Sequence, residues 1–342
     1  MDGIHTALSL SLICERRIAI RSRPEIIENI SESLLTPNDI STIVVDTKAK
    51  LDEDPESLND IFENVSGHSI MFWTNADNCS TAQQKILIRL LNELDQYDTN
   101  ESRWATGGEQ QLNNHSDNAH GIMFSTSSIF SVILVIETPC NVIQPLRLKF
   151  WFCQYVPNKY NSDESRENSI SLDDTDDYIS SILRLRSKSV YMSPEIERYI
   201  YSLVIHARNH RLCSIAPMQS RLPTMAISNI NLLAEALVKW ENRNNEKSKL
   251  YITPDICKVA MRKVAYWLVN WQKIGGQFTE ITGESNSQRE FRESLEFGSL
   301  SGDWFGSDWT YIKKYIDECE RQDRKMYNSV VEDVLKKVRP PI

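Results

Sequence analysis

IFSVILVI, residues Ile129–Ile136, decides the fold class because it is a continuous apolar run interrupted by a single serine. Such a run predicts a strand buried on both faces, as in parallel sheets that are covered by helices. Working outward, the other predicted strands are Ile18–Ile20, Ser41–Asp46, Ser69–Trp73 and Lys149–Val156. Helices are predicted between them at Pro24–Leu35, Asp54–Val65 and Thr81–Leu94. This alternation predicts a parallel α/β sheet domain.

The second half of the chain has apolar residues at the spacing typical of helices. A polar loop over Gln96–His120 and an acidic, serine-rich stretch over Asn158–Asp177 separate the predicted elements. Helices are then predicted at Pro194–Asn209, Ile227–Trp240, Pro254–Ile274 and Trp309–Val338, two of them with Ser-Pro or Thr-Pro at the start. We therefore predict an α/β domain over residues 1–157, an acidic and polar linker over 158–190, a helical lid over 191–276, and an irregular segment with a C-terminal helix over 277–342.

Net charge, cysteine spacing and the length of apolar runs limit the classes of protein to which this chain can belong. The 342 residues carry a net charge of −9, so the chain repels the phosphate backbone on average and general nucleic-acid binding is disfavoured. The seven cysteines are widely spaced without a C-x-x-C pair, which predicts reduced thiols and no zinc ribbon. There is no secretory signal pattern and no apolar run long enough for a membrane span. We expect an intracellular protein of the cytoplasm or nucleus.

Several motifs resemble AAA+ ATPases, in particular the MoxR and magnesium-chelatase branch. In those proteins a lid helix ends in an arginine–histidine-rich segment, and a threonine–proline–aspartate cap follows a later short strand. The matching residues here are Arg208–Asn209–His210–Arg211 and Tyr251–Ile252–Thr253–Pro254–Asp255. Ser69–Leu91 resembles a Walker B strand with its helix, and Ile129–Ile136 with Leu146–Phe150 resembles the sensor-1 strand and the motif after it. The resemblance implies a P-loop NTPase-like sheet domain followed by a helical lid.

A narrower resemblance is to the fungal maintenance of telomere capping protein 2 family. It is carried by Lys149–Phe152, Arg198–Ile200, His206–Leu212 and the ending Val334–Ile342, VLKKVRPPI. The ending is the most specific part, because bacterial AAA+ lids lack it. This resemblance implies a role in telomere capping, which is a process and not a mechanism.

The residues that ATP chemistry needs are missing. ATP hydrolysis requires a glycine-rich loop whose amides reach the phosphates, followed by a lysine and a Ser/Thr. The corresponding segment, Arg21–Ile26, reads RSRPEI, and no G-K-[ST] occurs in the chain. Thr74 and Asn75 follow the Walker B-like strand in place of Asp-Glu, with Asp77 expected to be a turn or cap residue. The sensor-1 position is Thr138 and Lys149 replaces an arginine, while Pro223–Ser228 contains no lid arginine. The sequence therefore predicts no catalytic, cofactor-binding or metal-ligating residues and no cofactor.

Other candidate sites each have a structural alternative. His206 and His210, four apart on the predicted helix, resemble a metal pair, but Ala207 replaces the glutamate of H-E-x-x-H, which favours histidines near a helix C-terminus. A basic cluster is either an acidic-partner or nucleic-acid surface or a solvated face; it comprises Arg184, Arg186, Lys188, Arg198, Arg208 and Arg211. Trp304 and Trp309 are either interface anchors or packing for the last helix. The apolar stripe of that helix is buried on this chain or on a partner.

Three functions remain open from the sequence. The first is a non-catalytic pseudo-ATPase that works as a protein-interaction or scaffold factor, with Arg208, Arg211, Trp304 and Trp309 as interaction candidates. The second is a divergent AAA+ ATPase. The third is a DNA-binding, telomere-associated protein. The first is favoured, with other proteins as partners, nucleic acid not favoured, and no membrane.

Overall fold

A computed structural model describes residues 3–53, 68–104, 129–137, 141–156, 178–210, 222–244, 249–269 and 328–341, with the backbone alone for residues 96–104 and 329. The chain divides into two compact units, each with its own core. One comprises residues 1–150 with 156–179, and the other comprises residues 151–155 with 180–342. The predicted domain boundaries remain predictions, and the predicted linker ends in a helix, because residues 178–187 are helical.

Five strands form one sheet in the order β2-β3-β4-β1-β5. Their bounds are β1 Ala19–Arg21, β2 Ser41–Asp46, β3 Ser69–Thr74, β4 Phe130–Ile136 and β5 Cys153–Tyr155. The pairs β2–β3, β3–β4 and β4–β1 are parallel. The predicted fold class is confirmed in its parallel α/β sheet and in the helices that follow it.

The centre of the sheet is apolar on both faces, as the sequence predicted. Every residue of β3 is buried, and in β4 only Phe130 is partly exposed. The strand predicted at Lys149–Val156 begins only at Cys153, because turn bonds continue beyond the helical turn Gln144–Arg147: the amides of Lys149 and Phe150 donate to the carbonyls of Leu146 and Arg147, both at 3.0 Å.

The helices of the first unit differ from the predictions at several places. Their bounds are α1 Ile4–Cys14, α2 Ile26–Ile30 continued by π and 3-10 turns to Asn38, α3 Thr47–Glu53, α4 Thr81–Trp104 and α5 Gln144–Arg147. Helix α4 continues past Leu94 to Trp104, so the prediction of a loop over Gln96–His120 is wrong for its first part. Few of the residues between Leu94 and Trp104 are apolar, so the sequence showed no amphipathic pattern there. The predicted helix Asp54–Val65 lies outside the described residues.

The helices of the second unit pack around one apolar core. Their bounds are α7 Pro194–Arg208, α8 Ala226–Glu241, α9 Pro254–Leu268 and α10 Ser329–Lys337, preceded by α6 Tyr178–Ser187. The predicted caps are confirmed: Ser193 Oγ accepts from the amide of Ile196 at 3.4 Å, and Thr253 Oγ1 accepts from Ile256 at 3.5 Å. Each cap satisfies an amide that the first helical turn leaves unpaired.

The C-terminal helix begins later than predicted. Asn328 has extended backbone angles, φ −126° and ψ 107°, and its side chain accepts from the amide of Val331 at 3.2 Å. A single helix over Trp309–Val338 is therefore wrong, because the chain leaves helical geometry at Asn328; residues 309–327 lie outside the described part. Asn328 also donates to the carbonyl of Val269 at 3.1 Å. The apolar stripe of α10 is buried within this chain, through Val330, Val331, Val334, Leu335 and Val338.

Candidate functional site

The first candidate site is the carboxyl edge of the sheet, between β1 and β4. The connection after β1 leads to β2 on one side, whereas the connection after β4 leads to β5 on the other side. Ligands of open α/β sheets bind where neighbouring strands diverge in this way. The ends of these two strands are aligned, with Arg21 opposite Ile136. Any nucleotide chemistry in this fold would be centred here.

Three amides of the turn after β1 bond to backbone carbonyls of the protein itself. The Ser22 amide donates to the carbonyl of Ile136 at 3.0 Å, which extends the β1–β4 pairing by one bond. The amides of Ile26 and Ile27 donate to the carbonyls of Arg23 and Pro24 at 3.2 and 3.0 Å. Pro24 has no amide hydrogen. A triphosphate needs several amides directed toward it, so these residues do not fit that group.

The end of β3 carries polar side chains with structural partners. Thr74 Oγ1 donates to the carbonyl of Val45 at 3.3 Å, and Asn75, with φ 58°, donates from Nδ2 to Asp46 Oδ2 at 2.8 Å. The buried carboxylate of Asp77 accepts from the amide of Glu137 at 3.1 Å. Asp77 therefore links the segments after β3 and β4, which differs from the Asx turn or helix cap that the sequence suggested. Thr138 lies outside the described residues.

Asp46, at the end of β2, caps a helix. Its Oδ1 atom accepts from the amides of Lys48 and Ala49, both at 3.1 Å, in the first turn of α3. A carboxylate in this position satisfies amides that the helix cannot pair and interacts favourably with the helix dipole. Both carboxylates at this edge are thus held by backbone amides.

Lys149 is part of an ion-pair cluster. Its Nζ atom lies 2.7 Å from Asp95 Oδ2, and Arg17 Nη1 lies 2.6 Å from Asp95 Oδ1. Partial burial raises the pKa of Asp95, but the hydrogen bond from Lys149 and the charge of Arg17 outweigh it and leave that pKa below its ordinary value. Asp95 therefore remains ionised and joins the start of the chain to α4 and to Lys149.

The two histidines do not form a metal pair. Helix α7 ends at Arg208, so His210 lies beyond it and the two do not share a helical face as predicted. His206 is exposed, with Nδ1 2.7 Å from the carbonyl of Ser202, whereas His210 is buried with Nε2 3.0 Å from Asp333 Oδ2. Burial lowers the pKa of His210 despite the opposing effect of Asp333, so the folded protein holds it neutral at neutral pH. Within the described ranges, no group of three or more metal-ligating side chains occurs.

The predicted basic cluster is divided between separate places. Lys188 Nζ is 3.4 Å from the carbonyl of Asn242, while Lys239 Nζ donates to the carbonyl of Arg186 at 3.1 Å. These lysines stabilise the C-terminal ends of α6 and α8. At the far end of α7, Arg208 Nη1 donates to Thr224 Oγ1 at 2.6 Å. Arg211, Trp304 and Trp309 lie outside the described residues and remain predictions.

The structure reveals an ion-pair network that the sequence analysis missed. Glu332 of α10 accepts from Arg262 Nε and Nη2 at 2.6 and 3.1 Å, and from Tyr266 Oη at 2.6 Å. The adjacent Asp333 accepts from Lys337 at 2.6 Å in addition to His210. The four-residue spacing of Arg262 and Tyr266 placed them on one face of α9, but the sequence did not identify Glu332 as their partner. This network holds the C-terminal ending in the second unit.

Comparisons with known proteins add little. No family model matches the chain, and no curated protein matches it. Among the described residues, no helix has both the length and the apolar character to cross a bilayer. Among solved structures, the chain is similar to the RuvB Holliday junction branch migration motor of Thermotoga maritima, with 12% sequence identity, 82% of this chain and 76% of that chain covered, and a TM-score of 0.30. Similarity at this level carries no conclusion about activity.

Proposed function

We propose that this chain is a non-catalytic, AAA+-like protein that acts by binding other proteins. The turn after β1 carries the proposal: its amides at Ser22, Ile26 and Ile27 are bonded to backbone carbonyls, and Pro24 has none to offer. Glu25 adds a negative charge beside the place where a phosphate would bind. A nucleotide therefore lacks its main source of hydrogen bonds.

The remaining polar groups support the same proposal. Thr74 and Asn75 stand where a magnesium ligand and a catalytic base are needed, and the carboxylates of Asp46 and Asp77 at the same edge each accept hydrogen bonds from backbone amides. Lys149 pairs with Asp95 at 2.7 Å. Moving any of these groups to a nucleotide would break a structural interaction that stabilises the fold by about 1 kcal/mol or more.

Nucleotide binding is the direct test. We expect no change in the thermal unfolding midpoint when ATP and magnesium are added in large excess over a typical ATPase affinity, because a ligand stabilises only the state that binds it. Phosphate release should equal that of buffer. The matched variant replaces both Arg21 and Arg23 with alanine and should behave identically. A midpoint increase that this variant abolishes would establish the divergent ATPase instead.

The process in which the protein acts is a second part of the proposal. The ending Val334–Ile342 and the segment His206–Leu212 resemble the fungal telomere-capping family, so we propose telomere capping as the process. Depletion of the protein in its own organism should increase single-stranded DNA at chromosome ends. Re-expression of the chain with Arg21→Ala and Arg23→Ala should restore capping fully if nucleotide plays no part. Unchanged chromosome ends after depletion would remove the telomere role and leave the binding role untouched.

A further inference from the structure

Among the described strands, β2, Ser41–Asp46, lies at one edge of the sheet and pairs with β3 alone. Ser41 pairs with Ser69 and donates its amide to the carbonyl of His68 at 2.9 Å. In a parallel pair the bonding residues alternate, so Ile43 and Val45 also face β3 while the amides of Thr42 and Val44 point away from the sheet. Within the part of the chain that the structure describes, these two amides have no acceptor.

The sequence of this edge contains few of the usual protections against pairing, because its one charged residue is Asp46 at the end. STIVVD has no lysine, proline or glycine, and the side chain of Val44 is 56% exposed. Natural edge strands are commonly interrupted by such residues because unpaired backbone groups are a template for another strand. An exposed valine beside unpaired amides therefore identifies a surface for strand addition.

The charges around the edge indicate what kind of strand it accepts. Asp39 and Asp46 are exposed at its two ends. Helix α2 exposes Glu28, and its continuation exposes Glu32 and is joined to the strand by a 3.0 Å hydrogen bond between Ser31 and Thr42. The nearby Lys48 is paired with Asp52. A second copy of the chain would bring these acidic groups together, whereas a basic strand would be attracted to them.

We propose that the β2 edge binds an extended segment of a partner protein in which apolar and basic residues alternate. The segment adds a sixth strand to the sheet, exchanging backbone hydrogen bonds with Thr42 and Val44 and covering the Val44 side chain. Its basic residues lie near Asp39 and Asp46. This inference deepens the proposed function, on which it rests, by giving the chemistry of one partner.

Hydrogen exchange measured residue by residue tests the surface. The probe is a short synthetic peptide of alternating lysine and valine, with both ends blocked. In the free protein the amides of Thr42 and Val44 should exchange at least tenfold faster than those of Ile43 and Val45. The peptide should slow the first pair and leave the second pair unchanged. A peptide of alternating glutamate and valine should have no effect.

Two lysine substitutions separate the site from general charge effects. Val44→Lys places a cation on the edge and should reduce affinity for the lysine–valine peptide at least tenfold. Leu183→Lys makes the same change at another exposed apolar position, 38% exposed, and should leave affinity unchanged. Val44→Thr keeps the outward amide and avoids the charge, so it should bind within a few-fold of wild type and guard against a folding artefact.

Several results would overturn the inference. Slow exchange of Thr42 and Val44 in the free protein would show that the edge is already covered, and protection that increases with protein concentration would identify a second copy as the occupant. Equal binding of the lysine and glutamate peptides would remove the charge argument. The thermal shift with ATP, measured on the same preparation, keeps the two proposals apart. Absent peptide binding without an ATP shift rejects only the edge, and an ATP shift rejects only the non-catalytic function.

Discussion

At the scale of single residues, Glu332 links the C-terminal helix α10 to helix α9 within the second unit. Its carboxylate accepts a two-pronged pair of hydrogen bonds from Arg262 and one from Tyr266. The Glu332 side chain is only 14% exposed, so the bonds are little weakened by water, whereas Arg262 is 42% exposed and can partly return to solvent. Bidentate pairs between arginine and carboxylate are among the stronger polar contacts in proteins.

Glu332→Gln should lower the free energy of unfolding by about 1–2 kcal/mol, because charge-assisted bonds become neutral ones and Arg262 compensates partly through its exposure. Urea denaturation measures the change. The control is Glu93→Gln, which removes an exposed pair with Arg89, 69% and 50% exposed, and should cost less than about 0.5 kcal/mol. Equal effects of the two substitutions would contradict the role of Glu332.

The same residue gives a prediction about acid stability. Burial raises the pKa of Glu332, but hydrogen bonds from Arg262 and Tyr266 prevail and place that pKa below its ordinary value. A carboxylate with a lowered pKa stabilises the fold above its unfolded pKa, and this contribution is lost as the pH falls through the folded pKa. Unfolding midpoints measured between about pH 6 and pH 3 should therefore fall more steeply in wild type than in Glu332→Gln. Parallel curves would refute the assignment.

At the scale of helices and strands, Asn328 sets where the last helix begins. Its side chain accepts from Val331 and donates to the carbonyl of Val269, so one residue both caps α10 and attaches it to the end of α9. Asparagine is favoured at the first cap position of a helix, because its side chain forms hydrogen bonds with backbone groups in place of the helical backbone bonds. The helix is only nine residues long, so its stability depends on packing and on its cap.

Asn328→Ala should reduce thermal stability by about 1–2 kcal/mol through loss of the cap. Asn328→Asp is the informative companion, because aspartate can cap the helix but cannot donate to Val269. Its stability should lie between wild type and the alanine variant. A value equal to alanine would mean that the bond to Val269, rather than the cap, accounts for the effect.

Buried strands and proline-marked helix starts were predictable because their signals are local. Ile129–Ile136 and Ser193–Pro194 are examples, because the apolar run of the first predicts a strand and the cap of the second predicts a helix start within a few residues. The end of α4 was not predictable, because residues 95–104 are polar and lack an apolar stripe. The partners of Asp77, Asp95 and Glu332 lie 54 to 78 residues away, and no local pattern specifies such distant contacts.

At the scale of the whole molecule, the net charge disfavours nucleic acid as a partner. The chain carries −9 overall, and Lys188 of the basic cluster contacts the carbonyl of Asn242 at 3.4 Å. We expect no binding to duplex or single-stranded telomeric repeats in fluorescence anisotropy, even at low salt, where phosphate contacts are strongest. Binding that weakens with salt and is lost in the Arg208→Ala, Arg211→Ala double variant would favour the DNA-binding hypothesis instead.

The place of β1 in the sheet has a consequence for synthesis. Ala19 pairs with Leu134, so the ribosome must add roughly 100 further residues after β1 before the neighbouring strand β4 has been synthesised. At about 5–20 residues per second, a translating ribosome takes roughly 5 to 25 seconds to cover that interval. During this time the nascent chain exposes a strand whose pairing partner has not yet been synthesised. Shielding of that strand by a ribosome-associated chaperone would determine how much of the newly made protein escapes aggregation.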